Sequence, residues 1–141
     1  MIEGIRAAAM REVDVRILMN DPRSFAMKFR PSELYPPGSG PKTSALSTLN
    51  TLWHLKCGGL PEDKQKHLKL AITDVALSIG AIISDDGVVW SPYLLTSTGA
   101  KSPYMVTSTT DIVFGQKIAA HFGMLWDEMA TRIDDVVIAE L

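Results

Sequence analysis

The sequence of 141 residues contains one cysteine, Cys57. A lone cysteine excludes an intramolecular disulfide, so packing must hold the fold, and a reducing, intracellular compartment is expected. Histidine is scarce, with three in the chain. His54 and Cys57 stand one helical turn apart, but no set of His and Cys has structural zinc spacing. Long apolar runs are missing too. The longest, Leu68 to Ile83, carries Lys69 and Asp74, whereas a spanning helix wants ~20 apolar residues, so no transmembrane segment is expected. Glu3 comes early and no signal-peptide apolar core follows it. Neither sign of charge dominates: the net charge is −2. That excludes a global pull toward nucleic acid or acidic membranes, and any such binding must be local. No glycine-rich phosphate loop or nucleophile–base signature is present, so no cofactor is expected.

What is present is ordinary globular material. Hydrophobic residues make up 46% and charged residues 21%, enough for a core in one domain spanning 1–141. Residues 2–11 suit a helix, with Ala7, Ala8 and Ala9 as strong formers. From Glu12, charged and β-branched residues alternate through Leu18, which is strand chemistry. The helical spacing of Ile2, Ile5, Ala9, Val13 and Ile17 leaves a continuous helix through Met19 as the alternative. Asn20 to Arg23 signals a turn. Phe25, Met27 and Phe29 alternate with Lys28 and Arg30, so 12–30 reads as a hairpin. Prolines and glycines make 31–42 a connector within the domain. Thr43 and Ser44 begin a helix that ends at Gly58 and Gly59. A second helix is expected from Pro61 to about Ile83, its latter half buried. Asp85, Asp86 and Gly87 form a tight turn. From Thr110 or Asp111 a last helix would run ~30 residues, ~45 Å, to the end.

One segment is nearly duplicated: Ser91-Pro-Tyr-Leu-Leu-Thr-Ser-Thr98 and Ser102-Pro-Tyr-Met-Val-Thr-Ser-Thr109. Paired symmetrically about Ala100, the copies make a hairpin with Tyr93 opposite Thr107 and Leu95 opposite Met105. Side chains alternate between faces. One face then shows Tyr93, Leu95 and Met105, the other Leu94, Tyr104 and Val106. A surface hairpin ordinarily keeps one face wet. Here both are partly apolar, so the second face needs a cover, either from the same chain or from a neighbouring copy.

The expected fold is α+β: a short antiparallel sheet from two hairpins against two or three helices, with a long C-terminal helix. The expected function is non-enzymatic. The two-faced hairpin and the apolar tail Val136, Val137, Ile138 and Leu141 suggest a self-associating structural protein of the viral matrix or nucleocapsid kind. Tyr93, Leu95, Tyr104 and Met105 are candidate oligomer contacts. Gly115, Ala119 and Gly123 form a small-residue stripe where another helix can approach. Arg23, Lys28, Arg30, Lys64, Lys66 and Lys69 are candidate contacts for an anionic partner, RNA or a membrane surface. The alternative is a small-ligand enzyme or binding domain using the Ser/Thr-rich hairpin near His121.

Overall fold

The computed structural model of the chain describes residues 1–29, 35, 37–93 and 102–141. The fold is α+β, with two three-stranded sheets. The first helix, α1 (Ile2–Met10), places Ala9 in the core. It stops because Glu12 takes a left-handed backbone, φ 65°, which a helix cannot continue. The β-branched alternation that follows becomes β1 (Val15–Asn20). The reading of a helix over 2–11 followed by a strand therefore holds, and a continuous helix through Met19 does not form.

The expected 12–30 hairpin is not formed. Residues Phe25–Phe29 make a 3-10 turn, and β1 pairs instead with β2 (Leu68–Thr73), in parallel, Val15 opposite Leu68 and Asn20 opposite Thr73. The crossover between them carries α2 (Pro41–Gly59), close to the expected helix. Pro41 fits its first position, where no backbone donor is needed. Alternation then sorts the sheet. Val15, Ile17 and Met19 on β1, with Leu68, Leu70 and Ile72 on β2, face Leu49, Leu52 and Leu55 of α2 and Ala9 of α1.

A helix from Pro61 to Ile83 is also overturned. It is one short helix, α3 (Glu62–Gln65), followed by β2 and then β3 (Ile79–Ile83). A strand buried on both faces and a buried helix look alike as an apolar run. The tight turn at Asp85–Gly87 holds. It joins β3 to β4 (Gly87–Pro92), antiparallel, with Ile83 opposite Val88. β4 pairs in turn with β5 (Met105–Ser108).

The C-terminal helix is shorter than expected. α4 (Gly115–Glu128) has 14 residues. A strand, β6 (Thr131–Arg132), then joins β2 antiparallel, and α5 (Asp135–Glu140) follows, capped by Asp134. Val137, Ile138 and Leu141 of the tail are half-buried and pack on the main core, while Ala139 and Glu140 are exposed. On the opposite face of the first sheet, Phe122 and Trp126 of α4 lie against Arg16 and Arg132. Trp126 is 3% exposed and stacks with Phe122 at 5.7 Å between ring centres. Phe114, just before α4, stacks on Trp90 of β4 at 5.5 Å.

Candidate functional site

The second sheet carries the most conspicuous surface. Val88 faces Ile83 and Thr107, and is fully buried. The odd–even rule places Ile79, Ala81, Trp90 and Met105 on that same inward side. The outward side is crossed by one row, Ile82 on β3, Val89 on β4 and Val106 on β5, paired directly across the strands. Ile82 is 67% exposed and Val106 78%. Gly80, Gly87, Ser91 and Ser108 share this side by register, Ser91 being buried, and none of the paired residues on it is charged. β3 and β5 are both edge strands. An exposed apolar row running between two edge strands is the arrangement soluble sheets normally avoid.

The observed register differs from the symmetric one. Met105 lies opposite Trp90, and Thr107 opposite Val88, so residues 105–108 of the second copy pair with Gly87–Trp90, which precede the first copy. Shifting the register by an odd number of residues exchanges the faces. Tyr93 and Tyr104 remain exposed, and Met105 partly so. Leu95, Thr96, Ser97 and Thr98 lie outside the described residues. Tyr93 places its hydroxyl over Gly80. Gly115 is closed off within the chain, because a Cβ there would collide with the Ser108 carbonyl, while Gly123 faces open space.

Beside β5, the Asp111 carboxylate holds a turn. It accepts from the Thr107 hydroxyl at 2.8 Å and from the backbone N–H groups of Val113 and Phe114 at 2.7 and 3.2 Å. The Thr107 hydrogen bond first, then those two N–H groups, hold the Asp111 carboxyl below the usual aspartate range. The turn displays Ile112, 73% exposed, and Val113. The remaining hydroxyls serve local structure. Ser108 bonds Thr110 at 2.8 Å, and Thr109 donates to the Asp85 carbonyl at 2.7 Å.

Three of the six candidate cations are already ion-paired. Arg23 grips Asp21 at 2.8 Å and reaches Glu140 at 3.8 Å. Lys64 pairs with Glu12 at 2.6 Å and Asp63 at 3.4 Å. Lys69 and His67 share Asp14, at 3.1 and 3.0 Å. Hydrogen bonds from His67 first and then Lys69 lower the Asp14 pKa. The Lys28 ammonium lies 5.2 Å from the Phe25 ring centre. Lys66 is exposed just past α3, and Arg30 lies outside the described residues.

A cavity of about 230 Å³ opens at the carboxyl end of β1 and the first turns of α2, lined by Asn20, Met27, Ser44 and Thr48 among others. Two of its polar side chains are engaged. Asn20 donates to the Val75 carbonyl at 2.6 Å and Thr48 to the Ser44 carbonyl at 3.0 Å. Thr107, Ser108 and His121 do not line it. No cluster of three or more metal-binding side chains occurs among the described residues.

Sequence reasoning missed Ile82 and Val89 because Ile82 was assigned to a helix. The signal that finds them is the tight turn at Asp85–Gly87, which pairs whatever precedes it with whatever follows. Compared with known proteins, the chain matches no family model, no curated protein and no solved structure.

Proposed function

We propose that the chain is a non-enzymatic structural protein that self-associates through the outward face of its second sheet. The row Ile82–Val89–Val106 carries this reading. Burying one such side chain contributes about 1.5–3 kcal/mol. The face bears no charge that would be stranded by a second copy, and a buried unpaired charge is what most strongly opposes such contacts. A stable interface covers about 800 Å² on each partner. Three side chains cannot reach that, so the edge strands β3 and β5 and the neighbouring Tyr104 belong to the contact too.

The test is light scattering over a range of concentrations, for the native chain and for Ile82→Asp and Val106→Asp. The native mass should rise with concentration, and each variant should stay monomeric with an unchanged circular dichroism spectrum. A native chain that stays monomeric at every concentration would sink the reading.

A further inference from the structure

The outer face of the first sheet carries two arginines that its packing holds ready. Arg16 on β1 and Arg132 on β6 flank β2, and strand register puts both on the side of Ala71. Each lies against the same indole. The Arg132 guanidinium carbon is 3.9 Å from the Trp126 ring centre, and that of Arg16 is 5.7 Å from it and 5.9 Å from the Phe122 ring centre. Ala71, opposite Arg132, is small and buried, and Lys69 lies opposite Arg16 on the same side. Both arginines are exposed, and among the described residues neither makes an ion pair. A guanidinium stacked on a ring keeps the fork of N–H donors at its edge free, and that fork fits a carboxylate. Nearby charges offset one another in part: Lys69 pairs with Asp14, and Asp127 and Glu128 lie exposed at the end of α4.

At the tip of the β3–β4 hairpin stand two adjacent acids, Asp85 and Asp86. Both are exposed, and among the described residues neither has an ion pair. Their turn is braced. Ser84 N–H donates to the Gly87 carbonyl at 2.9 Å, Gly87 N–H donates back to the Ser84 hydroxyl at 3.2 Å, and Thr109 holds the Asp85 carbonyl. Two exposed carboxylates on a braced turn of one sheet thus complement in charge two ring-stacked guanidiniums on the other.

We propose that Asp85 and Asp86 of one copy dock on Arg16 and Arg132 of a second copy. This contact deepens the self-association proposed above and rests on it. The two surfaces differ, so the contact is heterologous, and repeated it builds a ring or an open array. A nucleic-acid strand fits the arginines less well. Two free cations neutralise about two phosphates where strong binders contact about 6–10. Trp126 is too deeply buried to stack a base, and the chain as a whole is negative.

The experiment uses the full chain and two charge reversals, Asp85→Lys/Asp86→Lys and Arg16→Glu/Arg132→Glu. Melting temperature and circular dichroism report folding, and Arg16→Gln/Arg132→Gln stands in if the second reversal fails to fold. By light scattering at low salt, each reversal alone should weaken assembly more than about tenfold. An equimolar mixture of the two should restore it, because each Lys tip then meets a Glu face. Raising salt should weaken native assembly. If the native chain assembles while the reversals assemble equally well, the docking is overturned and the apolar reading survives. A native monomer at all concentrations overturns both. A single-stranded RNA oligonucleotide that binds the native chain, and not Arg16→Glu/Arg132→Glu, would reassign the arginines to nucleic acid and overturn docking by a second copy.

Discussion

Gly115 opens α4 with its backbone pressed against the carbonyl of Ser108, so closely that a single added carbon has no room. This contact ties β5 to the helix. Gly115→Ala should therefore cost about 1–3 kcal/mol, the range for overpacking against atoms that cannot give way. Gly123, two turns on, faces open space, and Gly123→Ala should gain up to about 1 kcal/mol from helix propensity alone. Urea denaturation of the pair checks the contrast. Equal effects would show that the Ser108 contact is not tight.

Asp111 makes stability depend on pH. Its folded pKa lies below the ordinary value. The stabilisation is therefore complete above the ordinary carboxylate range and is lost as pH falls through the lower folded value. Asp111→Asn should melt lower than the native chain at pH 7, and the gap should close in acid. A gap independent of pH would remove the carboxylate from the account.

Asn20 is buried and gives its amide to the Val75 carbonyl. Asn20→Asp sets a carboxylate oxygen against that carbonyl. The variant should lose about 1–3 kcal/mol at neutral pH. Burial raises the folded pKa of such an acid, so the penalty grows as pH rises through the ordinary range and fades below it. Thermal melts from pH 4 to pH 8 should show the difference shrinking toward acid.

Leu52 and Ile82 separate core from surface. Leu52→Ala removes a side chain that is 2% exposed and should cost about 2–5 kcal/mol. Ile82→Ala should change the stability of the dilute monomer by less than about 0.5 kcal/mol. A large loss at Ile82 in dilute solution would mean that the chain itself depends on that side chain.

Much of the local structure was legible in the residues. The alanine run predicted α1, alternation from Glu12 predicted β1, and the leucines between Thr43 and Gly58 predicted α2. Asp85-Asp86-Gly87 marked its turn. The cationic clusters were visible as well, but the acids that neutralise them come from elsewhere in the chain: Glu12 lies 52 positions from Lys64 and Asp14 lies 55 from Lys69. Arg16 and Arg132 were not recognised as a pair, because nothing local joins β1 to β6.

The sequence by itself determined where the chain turns, which stretches are apolar, and the period of each, because propensity, capping and turn chemistry act over a few residues. Only the tertiary structure decided partners and faces. Leu68–Thr73 became a strand because β1 and β6 offered it hydrogen bonds on both edges. Residues 105–108 of the second copy took Gly87–Trp90 as their partners, with Trp90 stacked on Phe114 on its inward side. That alignment left Val106 facing outward and Val88 inside. Register is a property of two strands at once, and no single stretch of residues contains it.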